Sequence, residues 1–520
     1  MSATGLLLLC GVRKLDENTV NKNAVVRNDM YGRLDIYASF DDITEENLVS
    51  ELNSALVYHV MNMLQEEFLY WYTRGVQPIL NRQKDIREDI MNVVQVNTAA
   101  EIVDFKNGYL LQKPCAYTAR RKGVQTKLKK LNEYLYRSNK ADTDNKVADW
   151  FHRVGKGVVF VEPNDDPETP FLTYALDPRS AFVVYSLRPG NKPVMGVNMV
   201  VVDGKARFDV FTEKTVYHLS GTTVGKLISL EKNHDFMATA TTIDSSEPNV
   251  LGRIPIIEYR YNSVNTSAFE LAIPLLDELS NLASNACDGV EQFIQSLAIA
   301  VNCEFPEGTT ISQIRKAGFI QFRSIGENKA DFKVLTEQLD QTQTKVLMDN
   351  LREEVLRICA MPNRANGGST YDTTGAAVLA SYGWYQADCS ARNTEDLFRE
   401  SNRQFDQIIV DILKRKGLLD IDPNDFELNF PHGETANIQS KAQAFQTLMA
   451  AGLHPELAAE KSGISSDPVK DMKMSEQYLK MVWGDPEKVD EAEQTNGGQG
   501  EAEIVESDAN NGENETGGAV

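Results

Sequence analysis

The sequence predicts an α+β fold in which a β-rich unit is flanked by long helices, and three observations predict it. Short β-branched and aromatic runs crowd into residues 157–262, where Gly, Pro, Asp and Asn separate them. Helical periodicity occupies both sides of that region. The chain has 520 residues, which is more than one hydrophobic core usually organises. We therefore expect two or more packed units.

Two helical zones precede the β-rich unit. From Thr44 to Leu80, leucine and valine recur at helical spacing after an acidic start, which predicts an amphipathic helix. A second zone runs from Val124 to Gly155. Residues 157–262 between these zones and the next helix are expected to form antiparallel strands.

A long helix is expected after Asn265, opened by Ser267 and Glu270 at the spacing of a capping box. About thirty residues at 1.5 Å each would make it roughly 45 Å long. Pro274 is a candidate kink in its first turns. One packing stripe is expected from its apolar positions, which are Ala268, Leu271, Leu275, Leu279, Leu282, Ala286, Val290, Phe293 and Leu297.

The rest of the chain alternates between short and long elements. Residues 301–336 are expected to hold a hairpin, with GFIQFRS and ADFKVL flanking Gly326–Lys329. A second long helix is expected over Glu337–Ala360, ended by Pro362, and then an exposed polar loop over Asn363–Gly375. The remaining expectations are a helix over 376–416, a short helical bundle over 435–483 and a disordered acidic tail after Asp485.

Composition limits the classes of function. Hydrophobic residues make up 42% and charged residues 25%, which indicates a real core. The 53 basic and 75 acidic residues give a net charge of −22, which disfavours tight electrostatic binding of free duplex DNA. A net negative charge remains compatible with a protein channel for DNA, because DNA that slides through a channel needs weak contacts with its wall.

The N-terminal stretch Gly5–Val12 is apolar but too short to span a bilayer, and no basic segment precedes it. A core segment is favoured over a signal peptide, and no membrane association is expected. The six cysteines show no CxxC pair and no His at ligand spacing, so reduced and mostly buried thiols are expected.

Signatures of chemistry are sparse. The chain has no GxxxxGK[ST], HExxH, GxSxG or strand-to-helix GxGxxG motif, and its six histidines are scattered. Three carboxylate pairs could in principle serve a metal-dependent nuclease, but solvated acids are the favoured interpretation. They are Asp41-Asp42, Asp165-Asp166 and Glu353-Glu354. We assign no catalytic, cofactor-binding or metal-binding residue.

One basic cluster is present. It comprises Arg120, Arg121, Lys122, Lys127, Lys129 and Lys130. Tyr117 and Tyr134 lie only at its edges, so interleaved stacking aromatics are lacking. A solvated face or a protein contact is therefore favoured over DNA binding.

Ordered segments of the chain resemble the phage portal protein family of the SPP1 type, over roughly residues 45–485. Tyr72–Arg82, Val96–Asp104 and Gly108–Pro114 resemble its N-terminal part. Ile254–Asn262 is similar to the strand that enters the family's stem, and Ile273–Asp277 to the opening of the first stem helix. The remaining similar segments are Phe269-Glu270, Gly375–Leu379, Asn429–Pro431, Ala451-Gly452 and Asp467-Pro468.

The resemblance implies a portal-type fold with a β-rich wing, long antiparallel stem helices, a small α/β clip and a helical crown. It divides the chain into an N-terminal arm (1–43), wing (44–262), first stem helix (263–300), clip (301–336), second stem helix (337–361), tunnel loop (362–376), tunnel and wing helices (377–430), crown (431–484) and acidic tail (485–520).

The resemblance also implies a function. Copies of the chain, usually twelve, would close into a ring at one capsid vertex, with the stem helices around a channel for genome entry and exit. The expected partners are the terminase large subunit, a head-tail adaptor, the major capsid and scaffolding proteins, and double-stranded DNA bound without sequence specificity. No cofactor is expected. The expected location is the virion, and the host cytoplasm during assembly.

The candidate site residues belong to two segments. Channel DNA would meet the tunnel loop through Arg364, Asn366, Ser369, Thr370 and Tyr371. Partners would meet the clip through Arg315, Lys316, Arg323 and Lys329. The alternatives are a metal-dependent nuclease of the packaging machinery and another ring-forming head or connector protein. Assembly without nucleotide, metal or DNA is expected, and it should survive deletion of residues 485–520.

Overall fold

The computed structural model describes residues 32–84, 89–121, 123–202, 205–224, 237–294, 297–301, 303–304, 323–324, 331–335, 342–363, 383–431, 438–465, 471–475 and 478. The chain divides into two compact units, Met1–Gly433 and Glu434–Val520. Helices and strands are mixed in the first unit, so the predicted α+β class is confirmed.

The helices of the first unit follow the predicted order with some changes of boundary. They are α1 (Glu45–Thr73), α2 (Thr98–Leu110), α3 (Gln125–Arg137), α4 (Lys140–Val154), α5 (Ile273–Ile294), α6 (Thr342–Ile358) and α7 (Trp384–Arg415). The second unit contains α8 (Ile438–Ala450) and α9 (Pro455–Ser462).

The strands form two larger sheets and three small pairs. They are β1 (Ile36–Ala38), β2 (Ala116–Ala119), β3 (Lys156–Pro163), β4 (Phe171–Leu176), β5 (Ala181–Ser186), β6 (Pro193–Val202), β7 (Lys205–Phe211), β8 (Thr215–Val224), β9 (Met237–Pro248), β10 (Ile256–Arg260), β11 (Leu297–Val301), β12 (Cys303–Glu304), β13 (Arg323–Ser324), β14 (Asp331–Leu335) and β15 (Phe426–Asn429). The six-stranded sheet has the order β1-β5-β6-β7-β8-β9 and the three-stranded sheet the order β10-β3-β4.

Every described strand pair within residues 157–262 is antiparallel, which confirms the prediction for that region. Among the strands that the structure describes, only β1, which comes from an earlier part of the chain, pairs in parallel, with β5. The small pairs are β2 with β15, β11 with β14, and β12 with β13.

Helix α1 organises the six-stranded sheet. Leu48, Leu52 and Leu56 pack into one core with Phe208 and Leu219 from the middle strands. The same helix reaches both edges of the sheet through side-chain hydrogen bonds, with Asn53 bonding β9 at Ala240 and Glu51 accepting from the Ser39 amide just after β1. These bonds occupy backbone groups that an edge strand would otherwise leave unpaired.

The C-terminal half of α1 enters a different core. Phe68 and Tyr72 pack with Ile102 of α2, Leu276 of α5 and Val355 of α6. A third core joins α3, α4 and α7 to the three-stranded sheet, and it includes Phe151, Tyr259, Phe398 and Phe405. One long helix therefore links the larger sheet to the helix pair α5–α6.

Several helix boundaries differ from the predictions. Helix α1 begins after Thr44 as expected but ends at Thr73, where Gly75 turns with a φ of 97° and Pro78 opens a short 3-10 turn. The zone 124–155 is two helices, because Asn139 adopts a left-handed φ of 54° between them. Helix α2, by contrast, was not predicted from periodicity.

The first long helix starts later than predicted. Ser267 and Glu270 do share the expected hydrogen bond, from the Ser267 amide to Glu270 Oε2 at 2.9 Å. Glu270 also accepts from the Gly32 amide at 3.1 Å and pairs with Arg33, so the segment is held to the N-terminal side of the domain. Helix α5 begins at Ile273, which puts Pro274 in its first turn, where the missing N–H costs nothing and no kink is required.

The predicted pairing of the hairpin zone is wrong. Asp331–Leu335 of the segment ADFKVL form β14 and pair with β11 in the register Leu297↔Leu335, which places Leu297 in a strand and shortens α5 to 22 residues. Arg323–Ser324 pairs with Cys303–Glu304 instead. Alternation of apolar residues identifies a strand but does not choose its partner.

Candidate functional site

Helices α5 and α6 form an antiparallel pair. Ile273 and Leu276 at the start of α5 share a core with Val355 and Cys359 at the end of α6. Strands β11 and β14 continue the two helices and pair with one another. The helix pair therefore starts at the core of the body and ends at a small strand pair.

The expected apolar stripe of α5 is displaced around the helix. The buried apolar side chains described on the helix are Ile273, Leu276, Leu279 and Ala283. Of these, Leu279 belongs to the predicted stripe, whereas Leu271 and Val290 of that stripe are 58% and 43% exposed. The body and α6 together cover one face of α5, and full burial on α6 is limited to Val355 and Leu356. Some apolar side chains on the outer side of the helix pair stay uncovered.

That uncovered surface is clearest on α6. Val346 and Leu347 are 54% and 47% exposed, and the neighbouring charged side chains Arg352 and Glu353 are also exposed. Arg352 reaches Glu101 of α2 at 3.6 Å. The helix therefore presents one apolar outer patch beside a charged one.

The structure places few of the predicted site residues. Those of the tunnel loop, Arg364, Asn366, Ser369, Thr370 and Tyr371, lie outside the described residues. The same is true of Arg315, Lys316 and Lys329 of the clip. Arg323 lies in β13, where its backbone pairs with Glu304. The channel and clip roles of these residues therefore stay predictions.

Two histidines are structural. His59 Nε2 donates to the Arg179 carbonyl oxygen at 2.9 Å, and burial lowers the pKa of its imidazole to about 4. His152 Nδ1 lies 2.6 Å from Asn107 Oδ1, and burial, with Lys106 nearby, lowers its pKa well below the usual value. Both rings are buried and neutral at physiological pH, so both hold elements together.

Three of the paired carboxylates form ion pairs with Arg or Lys side chains of the chain itself. Asp41 pairs with Arg188 at 2.5 Å, Asp42 with Lys214 at 3.0 Å and Glu354 with Arg357 at 2.6 Å. Within the described residues, His, Cys, Asp and Glu nowhere gather in a group of three or more that could hold a metal ion.

The basic cluster contacts the chain's own polypeptide. Arg120 pairs with Glu427 at 3.4 Å and Arg121 with Asp425 at 2.9 Å. Lys127 Nζ donates to the Asp420 carbonyl oxygen at 2.6 Å. These side chains are exposed and at the same time contact the chain's own polypeptide, where they help to hold β15 beside β2.

The cysteines are less buried than expected. Of the four whose side chains are described, Cys359 is buried, Cys115 and Cys389 are half-buried, and Cys287 on α5 is exposed. All four are free thiols, as predicted.

A polar contact runs along α5, and it was not predicted from the sequence. Ser280, Ser284 and Asp288 are buried against residues 90–96, and Arg82 and Lys84 also reach Asp288. The only sequence signal is the spacing of four between small polar residues in a helix. That spacing puts them on one face.

The fold is a mixed body of helices and sheets that carries an antiparallel helix pair. The family model described as "Phage portal protein, SPP1 Gp6-like" matches residues 61–478 of this chain. The match covers most of the sequence, so the chain belongs to this family of phage portal proteins, which is structural and not enzymatic. The resemblance inferred from the sequence is thereby confirmed, and the nuclease alternative is not supported.

The other comparisons add little. No curated protein matches the chain. A solved structure, "Neck of empty GTA particle computed with C6 symmetry", is similar with a TM-score of 0.42 and 12% identity, over 70% of this chain and 90% of that chain. Among the described residues, no helix is both long and apolar enough to cross a membrane.

Proposed function

We propose that this portal-family chain closes with copies of itself into a ring around a channel, through which DNA enters and leaves a phage head at one capsid vertex. Family membership supports the portal role. The ring, its copy number, which is usually twelve in the family, and the passage of DNA are our inference. The location follows as the virion, with assembly in the host cytoplasm.

The uncovered outer side of the helix pair supports this function best. Val290, Val346 and Leu347 are exposed on α5 and α6 beyond the reach of the chain's own core. Apolar surface of this kind is buried when identical subunits pack side by side in a closed ring. In the proposed ring, each helix pair covers part of its neighbour.

The predicted divisions of the chain are retained as part of the proposal. The wing comprises α1–α4 and strands β2–β10, and α5 and α6 are the two stem helices. The clip contains β12–β14, strand β11 crosses the boundary between the predicted first stem segment and the clip, and α8 and α9 belong to the crown. The tunnel loop at 362–376 connects the second stem helix to α7, whereas the arm at 1–43 and the tail at 485–520 have no assigned role.

The predicted partners follow from these divisions. Clip residues Arg315, Lys316, Arg323 and Lys329 would contact the terminase large subunit during packaging and a head-tail adaptor afterwards. Capsid and scaffolding proteins would surround the ring. Cationic clip side chains suit acidic partner surfaces, because opposite charges steer association.

The ring is tested by imaging the purified full chain and by sedimentation over micromolar concentrations. Closed rings should form without nucleotide, metal or DNA. Leu347→Asp should shift the chain toward monomers, because it places a charge in the proposed interface. Val250→Asp is the matched control, since Val250 is 76% exposed but lies away from the helix pair. A wild-type chain that stays monomeric would refute the ring.

The channel role of the tunnel loop needs a separate test. Replacing Arg364 and Tyr371 with Ala should leave rings intact while packaging or retention of DNA in assembled heads falls, because weak sequence-independent contacts are lost. A control variant removes an exposed Arg and Tyr elsewhere, at Arg207 and Tyr136. Normal packaging by the loop variant would mean that these two side chains do not serve the channel.

A further inference from the structure

Helix α5 is attached to the body by two different kinds of contact along its length. Its first turns bury Ile273, Leu276 and Leu279 in the apolar core shared with α1, α2 and α6. Beyond Leu279, the buried positions are largely polar, with Ser280, Ser284 and Asp288 all less than 5% exposed. The far half of the helix is therefore held mainly by hydrogen bonds and ion pairs.

The partner of that polar face is an extended segment, residues 90–96, which we call the strap. The Val96 amide donates to Ser280 Oγ at 3.2 Å, the Val94 amide to Ser284 Oγ at 2.9 Å and the Asn92 amide to Asp288 Oδ1 at 2.7 Å. Strap and helix run in opposite directions.

The register of this ladder has a geometric reason. Two residues of extended chain advance about 6.6 Å, and four residues of helix advance about 6.0 Å. Alternate amides of the strap therefore meet every fourth residue of the helix over three successive bonds. The face of α5 thus substitutes for a neighbouring β-strand.

Asp288, at the end of the ladder, has more polar contacts than Ser280 or Ser284. Arg82 Nη2 and Lys84 Nζ each lie 2.8 Å from Asp288 Oδ2, and Asn92 Nδ2 also bonds Glu291 Oε2 at 2.7 Å. Burial raises the pKa of Asp288, but the bonds from Lys84, the Asn92 amide and Arg82 outweigh it and hold this pKa far below its usual value. The carboxylate is consequently charged at all physiological pH values.

Ile90 buries its side chain at one end of the strap, but the side chains beyond it are more exposed. Met91 and Val93, the side chains that alternate with the bonded amides, are 45% and 41% exposed. The contact is therefore sensitive to charge and salt in a way that the apolar half of α5 is not.

We propose that the strap is a releasable latch: the polar ladder from Ser280 to Asp288 fastens the far half of α5 to the body, and it opens as a unit while the apolar half stays in place. Opening would free the predicted stem helix to move relative to the sheets. The latch goes beyond the proposed channel function and does not depend on it, because it concerns contacts within one chain.

Hydrogen–deuterium exchange on the full chain tests the latch. Asp288→Ala removes the acceptor of the Asn92 amide and the partner of two cations, while Ala favours the helix itself. Exchange in residues 90–96 should accelerate at least about tenfold, whereas exchange in residues 273–279 should not change. High salt should produce a smaller acceleration in the same segment of the wild-type chain.

The matched control is Glu278→Ala, which removes an acid from the exposed face of the same helix. A second variant, Ser284→Ala, takes away the acceptor of the Val94 amide without altering charge. Selective acceleration in both ladder variants, but not in the control, supports the latch. Unchanged exchange in residues 90–96, or equal acceleration in 273–279, would overturn it.

Discussion

Helices α1 and α6 carry similar leucine-rich patterns but meet different surroundings. In α1, the side chains of Leu48, Leu52 and Leu56 are at most 2% exposed, because the six-stranded sheet packs against them. In α6, Val346 and Leu347 are about half exposed, and burial is complete only near Val355. Apolar residues at helical spacing therefore predict a helix, but the burial of their side chains depends on which elements pack against that helix.

The largest expected effect comes from exchanging leucine for alanine in both helices. Leu52→Ala should lower the free energy of unfolding by about 2–5 kcal/mol, since it leaves a cavity in a fixed core. Leu347→Ala should change the free energy of unfolding by less than about 0.5 kcal/mol, because this side chain is already about half exposed to solvent. Urea denaturation of the unassembled chain measures both. Equal losses would remove the contrast between α1 and α6.

The next contrast is electrostatic, between the body and the helix pair. Burial raises the pKa of Asp406 on α7 to about 7, against hydrogen bonds from Tyr117 and Asn402. The folded state therefore holds this proton more tightly than the unfolded state. The stability that Asp406 contributes should be fully present below pH about 4. It should be lost as the pH rises to about 7, which lowers the free energy of unfolding by roughly 2–4 kcal/mol.

Asp288 has the opposite sign, since its folded pKa lies below its unfolded value. Its contribution should be present above pH about 4 and be lost as the pH falls. Asp406→Asn should flatten the first decline and Asp288→Ala the second, in unfolding curves recorded across pH. Glu400→Gln on the exposed face of α7 is the control. Retention of the decline between pH 4 and 7 in Asp406→Asn would show that this group is not responsible.

A smaller effect is expected at the edge of the six-stranded sheet. Asn53→Ala removes both bonds to the Ala240 backbone, which measure 2.8 and 3.0 Å, and should cost about 1–3 kcal/mol through unpaired polar groups. Ser54→Ala, its exposed neighbour on α1, should be close to neutral. Thermal unfolding compares the two variants, and a neutral Asn53→Ala would mean that water replaces the side chain at this edge.

The smallest effect is expected on the outer face of α6. Glu354→Gln breaks an exposed ion pair with Arg357 and should leave stability unchanged within error, because solvent screens such pairs. The same denaturation experiment serves as the measurement. A clear loss would indicate that this face of α6 is more protected than its exposure suggests.

Part of the fold was predictable because local signals decide it. The start of α1 at Thr44 follows from an acidic first turn, the end of α7 before Gly417 from a left-handed glycine, and the antiparallel β-rich region from alternation between turns. The family was recognisable from ordered segments spread along the chain. The site residues proposed for the tunnel loop, such as Arg364 and Tyr371, remain predictions.

The sequence by itself determined the α+β class, the approximate helices and strands, and the family, because periodicity, turn residues and segment order are local properties of the chain. Only the tertiary structure decided that β14 pairs with β11, that Pro274 opens a helix, and that Ser280, Ser284 and Asp288 bond a strap. These outcomes depend on groups distant in sequence, such as Glu270 with Arg33 and Asp288 with Asn92. Hydrogen bonds over such separations depend on how the whole chain packs, which no local pattern encodes.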